Sequence, residues 1–124
     1  MPLLPKALIV ALGLVLSLQV PAQSVRMLVQ SSPLAGFKYH EAALLWDDMR
    51  VGDRLDLIRE PANPHDAKAI RVDWRGRKLG YVPRTQNESL AWAMDQGQPV
   101  VARISRMELS ADPRRRIEFE VYVE

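Results

Sequence analysis

Residues 69–82 read AIRVDWRGRKLGYV, and the reading of the rest of the chain turns on this stretch. Ile70, Val72 and Trp74 fall on one face at a period of two, with Ala69, Arg71 and Asp73 on the other. Arg75-Gly76 supplies a two-residue turn and Arg77 to Val82 returns, so the segment predicts an antiparallel β-hairpin. Just upstream, Arg54 to Arg59 (RLDLIR) alternates again, with Leu55 and Leu57 on one face, after a turn at Val51-Gly52-Asp53. Between the two lies Glu60 to Asp66 (EPANPHD). Its two prolines exclude regular structure and predict a shaped loop.

On the C-terminal side, Pro83 ends the hairpin and Thr85-Gln86-Asn87-Glu88 fits a capping box, with Thr85 as the cap. Leu90, Ala91 and Met94 share a face of the helix this starts, and Gly97 is a suitable stop. Two alternating strands follow, Pro99 to Leu109 and then Ile117 onward, with Ser110 to Pro113 as the turn between them. On the N-terminal side, Arg26 to Ser32 predicts a first strand and Glu41 to Met49 a short helix. The sum is a small α+β domain: a curved antiparallel sheet, or a partly open barrel, with one main helix. Ile70, Val72, Leu90, Phe119 and Val121 are its expected core.

The first residues differ in kind. Met1 to Lys6 is short and positively charged, Ala7 to Val20 has no charge, and Val20-Pro21-Ala22 puts small residues where a signal peptidase inspects them. This predicts a signal peptide over 1–22, cleaved after Ala22 or after Ser24, and an exported domain over 23–124. The alternative is an uncleaved anchor, for which the apolar run is short of the roughly 20 residues a span needs. With its signal removed, the protein is expected to be periplasmic or secreted, with no stable membrane insertion.

Composition narrows the chemistry. The chain of 124 residues is 48% apolar, enough for one core, and contains no cysteine. That removes thiol catalysis, disulfides and cysteine-held metals. His40 and His65 show no metal-ligand spacing, and neither a nucleophile elbow nor a Gly-rich phosphate loop is present. No cofactor and no catalysis are expected. Asp47-Asp48 with Glu41 reads as an exposed helix end, and Trp46, Trp74 and Trp92 as core or rim residues. Lys and Arg number 17 against 15 Asp and Glu, too near balance for a strong overall field. The Arg114-Arg115-Arg116 run reads as a solvated turn; its other reading is a phosphate-contacting rim.

Four segments together carry a family likeness: Gly36-Phe37-Lys38-Tyr39, Gly52-Asp53-Arg54-Leu55, Arg59 through Val72 (REPANPHDAKAIRV), and Leu79-Gly80-Tyr81-Val82-Pro83. Over about Val25 to Met107 the chain resembles the HIRAN domain. That resemblance implies an OB-like barrel and, as in helicase-like translocases, a grip on the free 3′ end of single-stranded DNA. It implies that Lys38 and Tyr39 contact a phosphate and stack on a base. By the same likeness Asn63 and Asp66 bond the terminal nucleotide, His65 stands where a tyrosine usually stacks, and Tyr81 where His is frequent. Lys38 replaces the Arg usual there and gives up its bidentate fork. In the larger relatives, ATP hydrolysis and zinc binding belong to neighbouring domains. Two functions are therefore open: a non-catalytic single-stranded-DNA-binding module, or an exported module that uses the same scaffold for a protein or small ligand.

The signal carries its own test. Mass spectrometry of the exported fraction should find a mature N-terminus at Gln23 or Val25; intact precursor, soluble in the cytoplasm, would refute the reading.

Overall fold

Arg75 and Gly76 both take positive φ, 48° and 77°. Two successive left-handed residues make a turn whose twist matches that of its strands, and Gly76 enters that region without a Cβ penalty. The computed structural model describes residues 27–123, and the hairpin forms there as expected, from β3 (Ile70–Trp74) and β4 (Arg77–Tyr81). The signal segment expected over 1–22 and the predicted strand start at Arg26 lie outside the described residues.

The other strands are β1 (Met27–Pro33), β2 (Arg54–Arg59), β5 (Val100–Met107) and β6 (Ile117–Val123). The order across the sheet is β1-β6-β5-β2-β3-β4, with every pair antiparallel. The strand β2 serves two partners: Arg54 and Leu55 pair with β5, while Asp56 to Arg59 pair with β3. That handover bends the sheet, and its two ends then meet at one isolated bridge. Ala35, just beyond β1, exchanges two 2.9 Å backbone hydrogen bonds with Tyr81 at the end of β4. This is the expected small α+β fold, an open antiparallel sheet with a short helix.

The bridge explains Gly80. A Cβ built there would overlap the Ala35 carbonyl oxygen, so the close approach of the two chains requires glycine. A second feature of β4 was not foreseen. Asp73 pairs with Lys78 but Val72 pairs with Gly80, so Leu79 is an extra residue, a β-bulge. In an unbroken strand Lys78 and Tyr81, three residues apart, would point to opposite faces. The bulge resets the alternation: Leu79 goes into the core and Lys78 and Tyr81 share the outer face.

The main helix, α2 (Glu88–Asp95), follows a shorter α1 (Ala42–Leu45) that continues as a 3₁₀ turn to Asp48. Leu90 and Ala91 are buried and Met94 packs beside them. The helix closes at Gly97 with a Schellman pair, Gly97 N–H to Met94 O at 3.0 Å and Gln98 N–H to Ala93 O at 3.1 Å. Its start departs from expectation. Thr85 lies inside a 3₁₀ turn closed by Gln86 N–H on Pro83 O, and the residue before the helix is Asn87, without a side-chain cap. Two side chains at the helix start bond elsewhere: Glu88 accepts from Lys68, and buried Asn87 donates to Asp66. Partners distant in sequence win over the local cap.

Ile70, Val72, Leu90, Phe119 and Val121 are buried as expected, joined by Leu34, Leu55, Leu79, Ile104 and Ile117. Burial of each such side chain is worth about 1.5–3 kcal/mol. Trp74 is buried and donates its indole N–H to Asp53 Oδ2 at 3.0 Å; Trp46 packs edge-on to Phe37. Trp92 departs from the core-or-rim reading, being 66% exposed. Among the described residues no helix is long and apolar enough to cross a membrane.

The bridge makes one prediction. Gly80→Ala should cost about 1–3 kcal/mol of stability in denaturant titrations, the range for forced overpacking. An unchanged midpoint would show that Ala35 does not sit against β4 in solution.

Candidate functional site

The proline loop between β2 and β3 is three consecutive four-residue turns. Asn63 N–H bonds Glu60 O, Asp66 N–H bonds Asn63 O, and Ala69 N–H bonds Asp66 O, at 3.0, 3.3 and 3.1 Å. Pro61 and Pro64 hold the second position of the first two turns, where their fixed φ is pre-set. Asn63 and Asp66 occupy first positions, and each side-chain oxygen accepts a backbone N–H two residues on, from His65 and Lys68, at 2.9 Å. Arg59 clamps the base by donating to the carbonyls of Ala69 and Ala67, and it joins the loop to α2 through Asp95. Local turn chemistry and the Arg59 clamp together build one wall of the site.

The facing wall comes from the segment after β1. The Ala35–Tyr81 bridge holds it, and a 3₁₀ turn at Phe37–Tyr39 buries Phe37 while leaving Tyr39 74% exposed. Between the walls is a cleft of about 590 Å³. Tyr39, Asn63, His65, Asp66 and Tyr81, five of the six residues that the sequence marked, line it together. The sixth, Lys38, does not. It lies over the rim in an adjoining cleft of about 360 Å³, its ammonium 5.1 Å from the centre of the Tyr39 ring. His40, Lys78 and Arg84 also line the main cleft; none was marked as a site residue, although Arg75, Arg77, Lys78 and Arg84 cluster in the sequence as a potential basic patch. His40 directly follows the marked Lys38-Tyr39 pair, a signal that could have found it. Lys78 reaches the cleft only through the bulge at Leu79, which local pattern does not disclose.

At the floor, Lys78 Nζ donates to the Tyr81 hydroxyl at 2.7 Å, and that hydroxyl donates to Glu60 Oε1 at 2.8 Å. Asn63 Nδ2 and Arg71 also donate to Glu60, at 3.0 and 3.3 Å. Burial pushes the Glu60 carboxyl up, but the Tyr81 and Asn63 hydrogen bonds, with the charges of Lys78 and Arg71, outweigh it and hold the carboxyl below its ordinary range. Asp66 is also held low, first by the Lys68 backbone N–H and then by the Asn87 amide, against a smaller cost of burial. Partial burial, and then the charge of Lys78, keep the His40 imidazole below its ordinary range against the pull of Glu60. His40 also packs edge-on to Tyr81, ring centres 5.7 Å apart.

The site therefore offers exposed rings and amines around carboxylates already committed to internal partners. Asn63 and Asp66, which the family likeness assigns to a terminal nucleotide, brace the loop with their side chains. Among the described residues no three His, Cys, Asp or Glu side chains converge as a metal site would require.

Comparison with known proteins gives a consistent picture. A family model described as the HIRAN domain matches residues 27–124. No match was found among curated proteins. The crystal structure of a protein from Lactobacillus plantarum superposes with a TM-score of 0.69 at 27% identity, covering 80% of this chain and 95% of that one. The HIRAN domain of human HLTF superposes with a TM-score of 0.58 at 19% identity, covering 82% of this chain and 80% of that one. The second likeness is one of fold alone.

The depressed Glu60 carboxyl predicts a pH dependence with a definite sign. A carboxyl held low in the fold adds stability above its unfolded value, and that stability is lost as acid protonates the folded form. Wild-type stability should therefore fall below about pH 4.3, the ordinary glutamate value, and fall less steeply in Glu60→Gln. Equal slopes, measured by denaturant titration across that range, would mean that the floor network does not hold in solution.

Proposed function

The chain belongs to the HIRAN domain family, whose members are in general DNA-binding modules, and on that footing we propose that it is a non-catalytic binding module for single-stranded DNA, taking a 3′ end into the cleft between Tyr39 and the proline loop. One observation carries the reading: two exposed groups able to stack, Tyr39 and His65, line one cleft with the cations Lys78 and Arg84. Single-strand binders combine these elements, stacked bases for grip and cations for the backbone, with each stacked base worth about 1–3 kcal/mol. Tyr39 stacks on a base, His65 lies against the terminal nucleotide, and Lys38 at the rim meets a phosphate. Tyr81 acts less as a platform than as the keystone of the floor, since its hydroxyl is committed to Glu60 and Lys78. Asp66 retains unused lone pairs beside its two internal donors, enough to accept a terminal 3′ hydroxyl.

The setting is an exported one, and it bears on the ligand: single-stranded DNA met outside the cytoplasm is a substrate for uptake or scavenging rather than repair. The near balance of charge favours a second reading, in which the same cleft holds a protein or small ligand.

Fluorescence anisotropy with strands carrying a free or a phosphorylated 3′ end separates the two. Tyr39→Ala should cost about 1–3 kcal/mol of affinity with little change in salt slope, whereas Lys38→Ala should flatten the slope by about 0.7 per phosphate released. Asp66→Ala should erase the preference for a free 3′ end, read alongside a melt because the residue also braces the loop. No measurable affinity at low salt, where phosphate contacts are strongest, would leave the second reading in possession.

A further inference from the structure

The main cleft is not isolated. Ala35 and Tyr39 line both it and the adjoining cleft that holds Lys38. Asp112 and Arg114 line that second cleft and also a third, of about 590 Å³, formed at the β5–β6 turn by Arg106, Arg115, Glu108 and Glu118. Shared lining residues place the three side by side, as a track that runs from the proline loop past Lys38 to the Arg114-Arg115-Arg116 turn. The turn is fixed against the track rather than loose. Arg116 stacks its guanidinium 5.0 Å from the centre of the buried Phe37 ring and donates Nε to Ser110 O at 2.8 Å, while Asp112 accepts the Arg114 backbone N–H.

Along this track the charges divide into committed and uncommitted ones. Arg114 gives both Nε and a terminal nitrogen to Asp112, each at 3.1 Å, and Arg106 lies against Glu108 and Glu118. Those pairs neutralise themselves. Lys38 and Arg115 form no ion pair among the described residues, and Arg115 is exposed with no side-chain hydrogen bond there. Two uncommitted cations, one in each outer cleft, follow the stacking site in order.

We propose that this track is the path of the strand body: the nucleic acid whose end sits in the main cleft leaves over Lys38, and Arg115 binds a phosphate several nucleotides back from that end. This rests on the single-stranded-DNA reading of the cleft and adds to it a longer footprint, with the arginine turn as its far end. Recognition there is of backbone charge, without base preference, because phosphate contacts position a strand but carry no sequence information.

The test compares a trinucleotide with a strand of about twelve nucleotides, within the ~4–16 that barrels of this type cover, both labelled at the 5′ end. Wild-type protein should bind the longer strand more tightly and with a steeper salt slope. Arg115→Ala should weaken the longer strand about fivefold at ~0.1 M salt and flatten its slope by about 0.7, one phosphate's worth, while leaving the trinucleotide unchanged. Arg75→Ala, an equal charge change at the hairpin turn and outside all three clefts, is the control and should change neither. If the trinucleotide binds but length brings no gain, or if Arg115→Ala and Arg75→Ala behave alike, the track is wrong while the cleft stands. If neither strand binds, the cleft reading falls, and the track with it.

Discussion

Tyr81 is held on both edges of its backbone and at the tip of its side chain. One edge pairs with Arg71 of β3, the other exchanges two hydrogen bonds with Ala35, and the hydroxyl sits between Lys78 and Glu60. Those contacts bring the two ends of an open six-stranded sheet together at one residue. They also place the Phe37–Tyr39 turn opposite the proline loop, since the turn begins two residues beyond the bridge. Without that closure the cleft would lack one wall. The absence of a side chain at Gly80 and the extra residue at Leu79 are the two backbone conditions that allow it.

The electrostatics of the site follow from how thoroughly its acids are occupied. Glu60 accepts from Tyr81, Asn63 and Arg71, while Asp66 accepts from Lys68 and Asn87. Carboxylates bonded in this way stay ionised and stiffen the frame. What faces outward is correspondingly enriched in cations and rings. A chain with almost no net charge can therefore present a locally basic, aromatic surface, because pairing rather than composition decides which charges a ligand meets.

Much of this was legible in particular residues. The Arg75-Gly76 hairpin, the buried alternation of Ile117, Phe119 and Val121, and the helix stop at Gly97 each follow from local rules and each formed. Asn63 and Asp66 were marked through a family likeness. In the fold their side-chain hydrogen bonds brace the proline turns, as Asn and Asp do beside proline. The helix start was misread because Thr85 and Glu88 satisfy a local pattern that Asp66 and Lys68 override. Trp92 was expected at a core or rim and lies in solvent, since the apolar face of α2 is filled by Leu90, Ala91 and Met94.

A family likeness marked five of the residues that line the cleft, while the sequence by itself determined the class of fold, the hairpin and the shaped proline loop. Those properties depend on side-chain period, proline φ and glycine freedom, which act over a few neighbouring residues. Only the tertiary structure decided that Lys38 stands outside the main cleft, that Lys78 stands inside it, and that the arginine turn continues the same track. Each of these depends on a bulge register or on contacts such as Arg116 on Phe37, between residues far apart along the chain. Such partners are chosen by what fits once the sheet has closed, and local pattern carries no record of that choice.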